Sequence, residues 1–412
     1  MTNTGHDPEG PLLLVLGIRP DVIRASLMIS RLRGVLGQRF VFVWSGQHYS
    51  DNLKDVFFRQ LGVGSPDIEM NVISADEHEF IGKWVAALGK VVERTRPCAV
   101  AFLGDTNTVL GTIACAVHNV PIVHIEGCMR SYDWTMPEEK YRTVADHLSD
   151  LIYAYLDEYK NQGLLEGLDP DRIVVTGNPI VDVLEQYFLS GRIRLDKISR
   201  DSLFSRYNVR ERDFFVMTSH RRENVENPHS LQNILDLAGS GRSPVIFPAS
   251  YRTQRNIKTF GTRVPQNVSI VDPIGYVELL EFISSSAAVL TDSGTVVEET
   301  AVLGVPSVQM RRSTERPQVY DCGSSVKFNP HLDWTEGDRS GVIESARERS
   351  GKIWSHGLGD GKSSNRIADD IIRRMQDPKS FFGHAPERPG RPFHRNLGFG
   401  LSDLGDWRAQ IS

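Results

Sequence analysis

Three acidic residues stand where a proton-transfer reaction could use them: Asp105 in GDT, Glu126 in HIEG and Glu138 in MPEE. Asp105 and Glu126 each follow a short apolar run, so they would end neighbouring parallel strands and their side chains could meet. Like-charged carboxylates in a partly dry cleft push their pKa values apart, so that one can be an acid while another is a base. Glu138 follows Pro137, which suits a helix start. For any one of them alone, a salt bridge or helix cap is the commoner role. Three converging on one cleft form a candidate acid–base set.

Two further segments suit an anion. Gly17-Ile18-Arg19-Pro20 sets a cation beside a helix amino terminus, where free N–H groups and the helix dipole favour negative charge. Asp292-Ser293-Gly294 leads into a helix carrying Glu298 and Glu299. Ser293 and the Gly294 N–H could hold phosphate oxygens, and Glu299 could accept hydrogen bonds from both hydroxyls of a ribose. A surface arginine and a plain capped helix are the bland alternatives. Neither segment is a Walker loop or a GxGxxG fingerprint. His220, in His220-Arg221-Arg222-Glu223, could contact a diphosphate or protonate a leaving phosphate, or serve structure alone. His118, His124 and His147 match no metal-ligand spacing, so no metal is expected.

The elements that must carry these groups alternate in βαβ fashion. Apolar runs at Leu12–Leu16, Phe40–Trp44, 98–103, 121–125, 151–155 and 173–176 read as strands of a parallel sheet, with helical spacing after Pro20 and over 109–118. A charged helical passage over 180–212 leads to a second series at 214–218, 244–247, 268–271, 287–291 and 307–310, with a helix over 296–303. The expected fold is α/β, with two doubly wound Rossmann-like domains facing a central cleft. The first would span 1–180, completed by a helix near 365–376, and the second 181–364. Residues 377–412, rich in proline, glycine and arginine, read as a surface tail. The sharper reading of that tail is an arm that docks through Phe381, Phe382, Phe393 and Trp407 on its own or a neighbouring subunit.

At 412 residues, two to three domains with large cores are affordable without disulfides. Lysine plus arginine number 47 against 52 acidic residues, a net charge of −5, which disfavours a dedicated nucleic-acid binder. Cys98, Cys115, Cys128 and Cys322 show no CxxC spacing and suit free thiols in a reducing compartment. No apolar run approaches the length of a membrane span. A cytoplasmic location is therefore expected.

Taken in order, GIRPDVIR, SGQHYSDNL, GDTNTVLG, HIEGCMRS, MPEEKYR, VTGNPIVD, SHRREN, DSGTVVEE and STERPQ resemble the non-hydrolysing UDP-N-acetylglucosamine 2-epimerase family, whose fold is of GT-B type. The resemblance runs from about Leu12 to Met375 and is specific through the joint order of its motifs. It implies that Asp105, Glu126 and Glu138 are catalytic carboxylates and His220 a catalytic or phosphate-contacting histidine. Arg19, Ser293, Gly294, Thr295, Glu299 and Arg316 would bind UDP, with Glu299 on the ribose. Leu279 would stand near the uracil, and Arg24 replaces a family lysine. Gln47 and His48 belong to a region tied in bacterial members to a second, regulatory UDP-N-acetylglucosamine. The histidine of that region's PVHPN-type segment is missing from FPASY here, so allosteric activation is less expected than the chemistry. Further departures are Gly127-Cys128 for Ala-Gly, Tyr141 for asparagine and Thr295 for glycine.

The family chemistry is loss of UDP from C1 as C2 gives up its proton, followed by re-addition to the bound 2-acetamidoglucal from the opposite face. It needs no cofactor. A homodimer is expected, together with domain closure hinged near 178–182 and 357–364. Three alternatives stay open at this point: a hydrolysing epimerase releasing N-acetylmannosamine, a 2-epimerase for another UDP-2-acetamido sugar, and a non-catalytic sensor or glycosyltransferase of the same shape.

Overall fold

The computed structural model describes residues 7–46, 58, 61–74 and 76–381. Gln47 and His48, and Phe382, Phe393 and Trp407 of the tail, lie outside the described residues.

Two parallel sheets form the frame. The first contains β1 (Leu12–Leu16), β2 (Phe40–Trp44), β3 (Ile68–Glu69), β4 (Ala99–Leu103), β5 (Ile122–Ile125), β6 (Leu151–Ala154) and β7 (Ile173–Val175), in the order β3-β2-β1-β4-β5-β6-β7. The second contains β8 (Phe215–Thr218), β9 (Val245–Pro248), β10 (Val268–Val271), β11 (Ala288–Thr291), β12 (Ser307–Met310) and β13 (Ser325–Phe328), in the order β10-β9-β8-β11-β12-β13. The expected α/β class with two facing doubly wound sheets is what the chain adopts. Near-continuous apolar runs make these strands because helices cover both sheet faces; every residue of β1 is buried.

Two edge strands escaped the sequence reading. β3 is two residues long and only part-buried, and β13 alternates an exposed Lys327 into its pattern. Neither presents a continuous apolar run. The helical stretch expected over 109–118 is a tight turn, Asn107–Gly111, followed by a short helix, Thr112–Val117.

The chain crosses between the halves twice, and the crossings lie side by side. Asn178 N donates to Leu358 O at 2.9 Å and Ser364 N to Asp182 Oδ2 at 2.6 Å. The helix Ser363–Arg374 then returns to the first half, where Arg31 meets Asp369 at 2.5 Å and Tyr153 donates to Asp370 at 2.8 Å. Phe381 is buried in the same core. Leu280, Val297 and Ala301 of the second half join that core, so the seam between the halves is packed.

Candidate active site

The carboxyl ends of both sheets meet at the seam. Asp105 follows β4 through Gly104, whose φ is +88° and where a Cβ would come within 3.2 Å of Asp21 Oδ1. The Gly104 carbonyl accepts from His124 Nε2 at 2.8 Å, while His124 Nδ1 lies 2.7 Å from Asp146 Oδ1. This fully buried histidine ties the Asp105 turn to β5 and has both ring nitrogens engaged. Among the described residues no group of histidine, cysteine and acidic side chains is arranged to hold a metal ion.

Asp105 and Glu126 do end neighbouring strands, since β4 pairs with β5. Each carboxylate, however, is met by arginine. Asp105 pairs with Arg142, which also holds Glu139 at 2.7 Å. Glu126 pairs with Arg24 and, at 2.9 Å, with Arg316, and accepts the Tyr155 hydroxyl at 3.0 Å. Arg24 in turn pairs with Asp21 at 2.8 Å. Interleaved cations are how like charges share a nearly dry space.

Burial and neighbouring charge shift Asp105 and Glu138 in opposite directions. Burial works to raise Asp105, but Arg142, helped by Arg221 and Arg316, holds it below the ordinary aspartate value. Glu138, half-buried in the first turn of the helix Pro137–Leu148, is raised by burial and then by the Asp105 charge. Its neighbour Glu139 accepts the Ser131 and Tyr132 N–H groups at 3.0 and 2.7 Å and shares Arg142 with Asp105. Asp21, which sequence reasoning missed, is pushed up to about 6 by burial against the pull of Arg24.

The second half supplies a phosphate-sized cradle. Ser293 caps the helix Gly294–Val302, its side chain accepting from Val296 N at 3.4 Å. A Cβ on Gly294 would lie 2.5 Å from Arg316 Nη1, so only glycine lets that guanidinium reach the cap. Arg316 Nε is 2.9 Å from Glu298. Thr295 lies half-buried in the first turn. Glu299 is buried, accepts the Tyr276 hydroxyl at 2.8 Å, and is pushed up to about 8 by burial, with Glu298 adding to the rise. Leu279 sits one turn beyond Tyr276 on the helix Tyr276–Ser285 and is half-buried.

His220 follows β8, with its side chain 55% exposed and Nδ1 3.4 Å from Asp292 Oδ1. No contact joins it directly to the three acids. Asp292, fully buried, pins the turn by accepting Ser219 Oγ at 2.8 Å and the His220 and Arg221 N–H groups at 3.1 Å. Arg19 heads the helix Arg19–Leu36 at the end of β1. The signals for Arg142, Asp292 and Glu298 were inside the PEExxR and DSGxxxEE segments, but nothing local says which partner each takes.

The departures from the family pattern have structural counterparts. Cys128 is buried with φ +64°, a left-handed conformation that glycine adopts without cost, and its N–H donates to Asp146 Oδ2 at 3.0 Å. A Cβ on Gly127 would meet Ile152 at 2.4 Å and Asp146 at 2.6 Å, so this chain needs glycine there. Tyr141 donates to Glu77 Oε1 at 3.3 Å, and Glu77 Oε2 receives Arg222 at 3.0 Å across the seam.

Facing parallel sheets whose strand ends share one charged seam define a two-lobed α/β enzyme of GT-B type. A sequence profile described as UDP-N-acetylglucosamine 2-epimerase matches residues 36–372. The UDP-N-acetylglucosamine 2-epimerase of Methanocaldococcus jannaschii is 32% identical over 368 residues, 86% of this chain and 97% of its own. The UDP-2,3-diacetamido-2,3-dideoxy-D-glucuronate 2-epimerase of Pseudomonas aeruginosa is 30% identical over 373 residues, 88% of this chain and 99% of its own. The crystal structure of the M. jannaschii enzyme in complex with UDP-GlcNAc and UDP superposes with a TM-score of 0.80 at 30% identity, covering 88% of this chain and 99% of that one. The chain belongs to the UDP-N-acetylglucosamine 2-epimerase family, a class of sugar-nucleotide isomerases.

Proposed function

We propose that the chain interconverts UDP-N-acetylglucosamine and UDP-N-acetylmannosamine by anti elimination of UDP and re-addition to 2-acetamidoglucal. The observation that carries this reading is the convergence of Asp105, Glu126 and Glu138 from one half with Arg316 and the Ser293 cap from the other. UDP lies on the second half, with Glu299 on the ribose, Leu279 against the uracil, and Ser293, Gly294, Thr295, Arg19, Arg24, His220 and Arg316 around the diphosphate. The arriving diphosphate competes for Arg316 and frees Glu126 of one of its two cations. Glu126 then takes the C2 proton, while Glu138, whose pKa burial and the Asp105 charge raise, delivers one on the opposite face. The reaction is redox-neutral and calls for no cofactor.

The reading extends to organisation. Domains 1–180 and 181–364 close on the sugar, with the helix near 365–376 on the first and hinges at 178–182 and 357–364. The protein is a cytoplasmic homodimer; four free cysteines fit that compartment. No helix among the described residues is long and apolar enough to cross a membrane. Exposed Ile113 and Val117, beside Val144 and Leu148 on the next helix, offer an apolar face for a second copy.

Proton NMR with UDP-N-acetylglucosamine in D₂O tests the chemistry. Deuterium at C2 and a new UDP-N-acetylmannosamine anomeric signal are expected. Asp105→Asn and Glu126→Gln should each lower turnover by about 10²–10⁴ while UDP still binds. Near-full activity in both overturns the assignment. Free N-acetylmannosamine would instead mean hydrolysis. The P. aeruginosa relative favours one second reading, a diacetamido uronate substrate, and the same experiment run with that sugar nucleotide distinguishes it.

A further inference from the structure

A cavity of about 170 Å³ opens at the seam, its lining tied to the Ser293 cradle through Asn224 on Asp292 and Arg311 on Glu315. Asp133 comes to it from the first half, and Arg222, Glu223, Asn224, Arg311 and Arg312 from the second. The lining charge is three arginines against two acids. Two of its polar groups are buried and unsatisfied. Arg311 is 3% exposed; it is 2.8 Å from Glu315 through Nη2, but Nη1 has no partner among the described residues. Asn224 is 1% exposed, and its Nδ2 donates to Asp292 Oδ2 at 3.1 Å and to Met310 O at 3.0 Å. Both of those partners are acceptors, so the amide cannot be flipped, and Oδ1 is left as an unmet acceptor. Buried groups in this state call for an occupant.

An occupant that accepts from Arg311 Nη1 and donates to Asn224 Oδ1 answers both groups, and three lining arginines against two acids favour one that carries negative charge. We propose that this cavity is a binding site for inorganic hydrogen phosphate. Its oxygens accept from the arginine N–H groups, and its hydroxyl donates to Asn224. Sulfate has the same shape but carries no proton at neutral pH, so Asn224 discriminates against it. Because the lining comes from both halves, the bound ion favours the arrangement in which they meet.

The test is calorimetric titration of the full chain, saturated with UDP so that the diphosphate cradle is filled, with inorganic phosphate, sulfate and glycerol 3-phosphate in turn. A saturable one-to-one heat with phosphate and a Kd at least about tenfold higher for sulfate are expected. Arg222→Ala should weaken phosphate by about fivefold or more, and Glu223→Gln should tighten it. Opposite responses separate a charge effect from general damage, which would weaken both. Glycerol 3-phosphate, whose phosphate is largely unprotonated at neutral pH, should bind more weakly than inorganic phosphate, and tighter binding overturns the role given to Asn224 Oδ1. No saturable heat at millimolar phosphate overturns the proposal. So does equal binding of phosphate and sulfate indifferent to both substitutions, which means an adventitious ion only. Neither result bears on whether the epimerase reaction occurs.

Discussion

Glu299 shows how burial at a single residue can be read as a binding property. Its carboxyl holds a proton up to pH about 8, whereas in the unfolded chain it would lose it near 4.5. The raised value means that the empty protein is most stable, with respect to this group, below pH about 4.5, and loses that contribution as pH rises through about 8. Ribose hydroxyls donating to Glu299 favour the carboxylate instead. UDP binding at pH 7 should therefore release close to one proton, and affinity should climb with pH until about 8. Calorimetry in buffers of different ionisation heat measures this directly. Glu299→Gln should abolish the release and weaken UDP by about 1.5–3 kcal/mol. Proton uptake on binding would put the ribose elsewhere.

The turn after β5 makes the same point for an element. Glu126 and Cys128 both have positive φ, at 75° and 64°, with Gly127 between them. The turn is held by hydrogen bonds from Glu126 N and Gly127 N to Tyr153 O, at 3.0 and 3.3 Å, and from Cys128 N to Asp146. Neighbouring structure thus over-determines a strained conformation that aims Glu126 into the seam. Gly127→Ala drives a methyl into Ile152 and Asp146. We expect a loss of about 1–3 kcal/mol in stability, and a fall in turnover larger than the loss of folded protein at the assay temperature explains. Denaturant melts beside NMR turnover separate the two. Full activity in a folded Gly127→Ala variant would show that the turn does not aim the base.

Closure belongs to the whole molecule. Besides Arg316 with Glu126, the seam is bridged by Asp133, which accepts Arg312 Nη2 at 2.5 Å, Arg312 Nε at 3.0 Å and Ser313 Oγ at 3.1 Å. These bonds hold the Asp133 carboxyl far below its ordinary value, against the burial that would raise it. Asp133→Ala removes the bridge without touching the three acids. Its cost of about 1–3 kcal/mol should appear mainly as a rise in KM of about 5- to 150-fold, on the order of what such bonds are worth. Free 2-acetamidoglucal and UDP should also leak from a cleft that reopens early, and NMR detects both. A lower kcat with unchanged KM and no leak would remove Asp133 from closure.

The strand runs, the helix starts at Pro20 and Pro137, and Gly294 at a helix start were legible in the amino-acid order, because burial on both sheet faces and helix capping impose local patterns. Asp105 and Glu126 were legible for the same reason, since strand ends are where a parallel sheet presents its ligand groups, and Glu138 through the proline that starts its helix. Short edge strands such as β3 were not, since two residues carry no period. Nor was charge pairing. Arg316 reaches Glu126 across 190 positions, and Asp105 takes Arg142 rather than meeting Glu126. Which cation answers which acid, and which buried polar atoms go unanswered at the seam, depends on how two separately patterned halves come together. Coulomb energy is set by distance in space, and the spacing of residues along the chain contains no such distance.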